Sequence, residues 1–174
     1  MYDWLGSEQY PRHLVRAVET IGVLEEDGRT NNPVILGWAR EIGGWVGNFY
    51  LRDEIPWCGL WMAMIMRRSD RGPLPRNPLA ALEWAEFGIQ APMYPCLADI
   101  LVFKRKGGGH VGLYVGEDDE CYHVLGGNQR DQVCVARIER SRLYAARRVG
   151  YQLTPPNVRR VFLSPEGSPT TNER

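Results

Sequence analysis

At 174 residues, 44% apolar and 24% charged, the chain is long enough to bury a core and ordinary in make-up for one globular domain. Its 21 Lys plus Arg balance 21 Asp plus Glu, so no net charge draws it to nucleic acid or to an anionic membrane. No run approaches the roughly 18 apolar residues that span a bilayer, and Met1-Tyr2-Asp3-Trp4-Leu5-Gly6 lacks the basic flank and apolar run of a secretory signal, so the expectation is a protein made in the cytoplasm.

Pro11 to Ile21 carries apolar residues at Leu14, Val15, Val18 and Ile21, the spacing of an amphipathic helix. Asn32-Pro33 opens a second helix through about Ile42, which Gly43-Gly44 closes, with Asn as cap, Pro in the first turn and Gly past the end. Trp57 to Met66 is apolar nearly all round and predicts a buried central helix, preceded by Asp53 as a possible cap and by Pro56; its methionines are gap-filling core. Asn77-Pro78 repeats the opening device and predicts a helix to Phe87, stopped by Gly88.

From Asp99 the period changes to that of strands. Ile100–Phe103, His110–Val115, Cys121–Leu125, Val133–Ile138 and Tyr144–Val149 are the candidates, joined by Lys106-Gly107-Gly108-Gly109, by the acidic turn Glu117-Asp118-Asp119-Glu120 and by Gly126-Gly127-Asn128-Gln129. Such short connections imply an antiparallel sheet, and helices followed by a meander make an α+β domain. Residues 1–163 form that single domain, and 164–174, rich in Ser, Pro, Thr and Glu, are expected to be a loose tail. The arginines concentrated in the last third are expected on solvated faces.

Four cysteines without a CxxC pair are too few for a disulfide scaffold. Cys121 and His123 lie on one face of one strand and read as a packed thiol and histidine. His13, His110 and His123 have no ligand spacing such as HExxH, so neither metal nor cofactor is expected. Cys58 stands at the start of a helix that is otherwise core. A helix N-terminus and a nearby imidazolium both favour the thiolate, whereas Asp53 and Glu54 oppose it, so a histidine partner is required. His110 begins a strand directly after three glycines, where a side chain can reach a cleft, and Asn128 follows Gly126-Gly127 beside it. A cysteine nucleophile needs a base, and the base needs a polar group to fix its tautomer. Cys on a helix, His on a strand and Asn on the next strand is also the papain-like order, but spacing alone leaves the matter open, because these residues occur together in many proteins.

Pro56-Trp57-Cys58, with Asp53-Glu54 before it, resembles the nucleophile motif of small phage and bacterial cell-wall hydrolases of the CHAP and NlpC type. Gly109-His110-Val111-Gly112-Leu113-Tyr114-Val115-Gly116 is similar to their histidine strand, and Leu125-Gly126-Gly127-Asn128-Gln129 to their third motif. Asp99-Ile100-Leu101-Val102-Phe103 is similar to the strand leading into the histidine hairpin, with Ala98 where that pattern has Gly. Gly22-Val23-Leu24-Glu25 and Asn31-Asn32-Pro33 match the helical region of one phage-associated branch, so the similarity spans residues 11–149. The resemblance implies a papain-like fold and hydrolysis of a peptidoglycan amide bond, with Cys58 as nucleophile, His110 as base then acid, and Asn128 orienting His110. Trp57, Asp53, Glu54 and Gln129 are the substrate contacts it suggests. Trp45, Trp57 and Trp61 stand around the expected cleft, as sugar-packing surfaces or as core. The second oxyanion donor is open, because Arg52 and Asp53 occupy the neighbourhood where papain-like proteases place Gln.

The expected partner is bacterial peptidoglycan, reached by a monomer after release or delivery as a phage endolysin or tail-associated lysin, with holin or virion association. Alternatives are a delivered amidase toxin with an immunity protein, an inactive wall-binding or virion module, and a thiol acyltransferase on the same scaffold.

Overall fold

The computed structural model describes residues 2–26, 28 and 30–168. The helices are α1 (Arg12–Val18), α2 (Pro33–Ile42), α3 (Gly44–Phe49) and α4 (Cys58–Arg68). The strands are β1 (Ile89–Gln90), β2 (Ile100–Arg105), β3 (Gly108–Glu117), β4 (Cys121–Gln129), β5 (Gln132–Glu139) and β6 (Leu143–Arg148), in one sheet of order β1-β6-β2-β3-β4-β5. Every pairing is antiparallel. The α+β class expected from the change of period is therefore what forms. No helix among the described residues is long and apolar enough to cross a membrane.

α4 is the centre of the molecule, with every residue from Cys58 to Met66 buried. It explains why that stretch is apolar all round: the other helices pack on one side and the sheet on the other. Alternate residues of β2 and β3 (Ile100, Val102, Val111, Leu113 and Val115) join the helices in the main core. Their neighbours Leu101, Phe103 and Tyr114 meet Tyr122, Val124 and Ile138 in a second, smaller core on the opposite face. Burial on both faces is why these strands read as apolar runs instead of clean alternation.

Several expectations are corrected. The stretch after Asn77-Pro78 is a turn followed by a 3-10 helix, Ala81–Glu86. The Pro78 carbonyl accepts from the Trp84 indole (3.0 Å) and so is diverted from helical bonding. Gly43 does close α2, by a positive φ of 71°, but a second short helix, α3, begins at once with Gly44. Gly126 to Gln129 is no connection: β4 runs through it with a bulge, and the reversal falls on Arg130-Asp131, both at positive φ. The segment from Ser164 is held as far as Ser168, where Trp4 Nε1 donates to the Gly167 carbonyl (3.3 Å) and Ser164 N–H to that of Ser168 (2.9 Å); residues 169–174 of the expected tail lie outside the described residues.

The late arginines are not simply solvated. Arg148 forms a two-pronged pair with the buried Asp99 (2.7 and 2.6 Å). Arg160 and Arg140 hold the buried Glu117 (2.7 and 3.3 Å), and Arg137 holds Asp118 (2.7 Å). A carboxylate taken out of water needs such a partner, and β6, β5 and the C-terminal segment supply it.

Candidate active site

Cys58 is the first residue of α4, where the N–H groups of Cys58, Gly59 and Leu60 have no partner within the helix; the first helical bond is Trp61 N–H to the Trp57 carbonyl (2.8 Å). Gly59 lets this end approach the 78–79 backbone, since a Cβ there would lie 2.5 Å from the Pro78 oxygen. Cys58 as a whole is 4% exposed. The backbone N–H groups around the sulfur, those of Val111, Gly59 and Cys58 itself, favour its thiolate form. Tyr114 N–H turns to Asp99 on the β2 side (2.7 Å), so Val111, three residues away, turns its N–H toward β4. Regular β3–β4 pairing runs only as far as Leu113 and Leu125, and the thiol meets Val111 beyond that point.

His110 precedes Val111 and therefore projects from the other side of β3, toward Gly126, where a Cβ would stand 3.2 Å from Nε2. Nε2 lies 3.0 Å from Gln129 Oε1. The Gln129 amide nitrogen faces the carbonyls of Val124 (3.0 Å), Gly126 (3.3 Å) and Cys134 (2.5 Å). Those acceptors require the NH2 group on that side, so the oxygen faces the imidazole and His110 carries its proton on Nε2. Nδ1 is left with its lone pair. Cys134 Sγ donates to the Gln129 carbonyl (3.2 Å) and secures the same residue from behind.

The orienting contact expected of Asn128 is thus made by Gln129. Extending the Leu113–Leu125 pairing without interruption would set Asn128 across from His110. Between Gly126 and Gln129, however, β4 has one residue more than β5, and Asn128 takes a φ of 57°. The bulge reverses the alternation, brings Gln129 to the histidine and turns Asn128 away, where its Nδ2 donates to Glu25 Oε1 (2.6 Å).

Burial governs the electrostatics. It pushes the Cys58 thiol above its ordinary value, against the N–H groups of Val111 and Gly59 that favour the thiolate. It lowers His110 to about 4, against the opposing pull of Gln129. Burial thus favours an uncharged thiol and an uncharged imidazole over the thiolate and imidazolium expected at a helix N-terminus, because desolvation outweighs the oriented N–H groups. Among the described residues no hydrogen bond joins the thiol to the ring.

The suggested substrate contacts divide. Trp57 is fully buried, its ring tilted at 53° against Trp38 (5.8 Å), with Nε1 donating to Glu25 Oε1 (2.6 Å). Asp53 is also fully buried: its Oδ2 accepts from the N–H groups of Glu26 (3.1 Å) and Asn32 (2.8 Å), and its own N–H donates to Asn31 Oδ1 (3.0 Å). Both are structural, since neither presents a surface to a ligand. Asp53 does not cap α4 either, whose cap residue is Trp57. Glu54 is exposed beside an acidic cleft of about 430 Å³ that Glu25, Glu26, Arg130 and Asp131 also line. Trp61 is core, and Trp45 is half-exposed on α3 beside Phe49 (6.2 Å). His123 has Nε2 on Asp118 (2.8 Å) and Nδ1 on the Tyr2 hydroxyl (2.7 Å), which leaves neither nitrogen for the thiol.

Larger clefts, of about 560, 600 and 470 Å³, open elsewhere; none of these is lined by Cys58 or His110. Cys58 and His110 therefore lie in a nearly closed place, away from these clefts. Glu25, quoted from the sequence only as part of a motif, is the residue whose importance was missed; its signal is contact with two elements more than 30 residues distant, which no local pattern carries. The sequence matches no family model and no curated protein.

Proposed function

We propose that the protein is a cysteine hydrolase with a papain-like arrangement of nucleophile and base, and that it cleaves an amide bond of bacterial peptidoglycan. The observation that carries the chemistry is the Gln129 contact: it holds His110 as the Nε2–H tautomer and leaves Nδ1 as a base, while the Cys58 thiol stands at a helix N-terminus. The wall as substrate is supported by the resemblance of the Cys58, His110 and Gly-Gly-Asn-Gln motifs to cell-wall hydrolases.

In this reading the Cys58 sulfur attacks the amide carbonyl while its proton passes to His110 Nδ1, and Gln129 stabilises the imidazolium through Nε2–H. The thiol first leaves the Val111 N–H for the ring, a tightening usual when substrate enters. The N–H of Cys58, which has no partner within α4, turns to the developing oxyanion once the sulfur has attacked. His110 then returns the proton to the leaving amine, which departs and leaves a thioester on Cys58. Water attacks the thioester, giving its proton to Nδ1; the acid leaves, and the proton goes back to sulfur.

The test is digestion of purified peptidoglycan followed by mass spectrometry. Wild type should release fragments carrying one new amine and one new carboxyl end, and Cys58→Ala should release none. Equal digestion by the two would remove Cys58 as nucleophile, and an undigested wall would remove the substrate assignment.

A further inference from the structure

We propose that Glu25 is a positioning residue whose carboxylate joins the turn that delivers Cys58 to the bulge that delivers Gln129. The proposal rests on the reading of Cys58 and His110 as nucleophile and base. A single oxygen, Glu25 Oε1, accepts from Trp57 Nε1 and from Asn128 Nδ2, each at 2.6 Å. Trp57 directly precedes the nucleophile and Asn128 directly precedes the residue that orients the base. The two donors belong to different layers of the molecule, one at the head of α4 and one in β4.

The carboxylate is itself well anchored. Gly22 N–H donates to the Val133 carbonyl (2.9 Å), Val133 N–H to that of Val23 (2.7 Å) and Glu25 N–H to that of Asp131 (2.8 Å), so residues 22–25 lie along the outer edge of β5. The circuit closes through Gly127: a Cβ there would stand 2.7 Å from the Trp57 ring and 2.7 Å from the Trp61 Cβ, so the bulge rests directly on α4. Glu25, Trp57, Gly127 and Asn128 thus form one closed loop of contacts.

The bulge has an alternative. In uninterrupted pairing Asn128 would face His110 and Gln129 would turn out. Asn128 at φ 57° is an uncommon conformation for a residue with a side chain, and a charge-assisted bond to its amide favours it over that alternative. Glu25 therefore acts on His110 at one remove, by keeping Gln129 in place, and on Cys58 through Trp57.

The experiment compares wild type, Glu25→Gln and Glu25→Ala by steady-state hydrolysis of peptidoglycan and by long-range ¹⁵N–¹H spectra of the His110 ring, which read the protonated nitrogen. Wild type should show Nε2–H. Glu25→Ala should lose about 100-fold in kcat with little change in KM, the scale expected of a small misplacement near reacting atoms, and its His110 should show a mixture of tautomers. Glu25→Gln retains one acceptor oxygen, keeps the shape and should recover part of both. Folded variants that keep wild-type kcat and the wild-type tautomer overturn the proposal, and so does a fall in kcat with the tautomer unchanged. A wild type that leaves peptidoglycan intact removes the wall reading alone, because the ring spectra still decide the role of Glu25.

Discussion

Desolvation sets the charge state of the site at the level of single side chains. Raising the thiol and lowering the imidazole to about 4 leaves the proton on sulfur at neutral pH, so in the proposed mechanism the base is ready but the nucleophile is not preformed. One expected outcome is slow alkylation of Cys58 by iodoacetamide at pH 7, rising steadily as pH climbs past the ordinary thiol range near 8.5. A fast, pH-independent reaction between pH 5 and 7 would show a resting thiolate and overturn this. A second outcome concerns catalysis. Below its pKa the ring carries a proton on Nδ1 and cannot take another, so the acid limb of kcat/KM in a pH–rate profile should fall near pH 4, not near the about 6.5 of a free histidine. Cys58 and His110, the proposed nucleophile and base, could be singled out in the sequence because Pro-Trp-Cys and Gly-His-Val mark them by local context. Their charge states were not legible: burial is a property of what packs around a residue, and a helix N-terminus seen in sequence shows only the opposing, weaker influence.

Elements decide which side chain does what, and here the bulge in β4 matters most. Two consecutive amides, Asn128 and Gln129, stand in the third motif, and only the register picks between them. One extra residue exchanges their directions, which no count along the chain reveals. The helix start at Cys58 was readable from the apolar run, but not the reason it can sit where it does. Gly59 has the backbone oxygens of Pro78 and Leu79 at 2.5 and 2.6 Å from where a Cβ would be, and backbone cannot rotate aside as a side chain can. Gly59→Ala should therefore destabilise the fold by about 1–3 kcal/mol, the usual range for overpacking, and should displace the head of α4 that carries Cys58. Urea unfolding and kcat should fall together; a variant with both unchanged would mean that contact with 78–79 does not set the nucleophile. The same segment shows why the expected helix after Asn77 failed. Its opening signals are local, while the Trp84 indole that takes the Pro78 carbonyl and the approach of Gly59 are tertiary.

Across the whole molecule, the α+β class was legible because the period of the apolar residues changes at Asp99 and the connections beyond it are short. The depth of the charged network was not, since Arg148, Arg160 and Arg137 declare their carboxylate partners only once the sheet closes. Arg148 is the sharpest case. Removing it by Arg148→Ala leaves Asp99, 1% exposed, without its two-pronged partner, and should cost about 3–5 kcal/mol by urea unfolding, the range for one half of a buried pair; a loss below 1 kcal/mol would show that water replaces the guanidinium. The buried histidines shape the response of the whole fold to acid. His13 and His110 are both lowered to about 4 by burial, and His13 has Nε2 on the Ala98 carbonyl (3.0 Å) while its Nδ1 is buried with no hydrogen-bond partner among the described residues. A proton added at Nδ1 would place a charge where nothing accepts it. The unfolded chain, with histidines near about 6.5, binds more protons than the folded one between that value and about 4. Each histidine therefore contributes stability that is complete above the unfolded value and is lost as pH falls toward the folded one, amounting to about 2 kcal/mol of the difference between pH 7 and pH 5. Glu25 and Asp99, whose carboxyls burial raises, bind protons more readily when folded and oppose this trend. A comparison of variants isolates the histidine part: wild type should lose more stability than His13→Gln between pH 7 and pH 5 in urea unfolding, by about 2 kcal/mol. Equal losses in the two proteins would mean that His13 takes up its proton in the folded state as easily as in the unfolded one, and that the space around Nδ1 holds an acceptor for it.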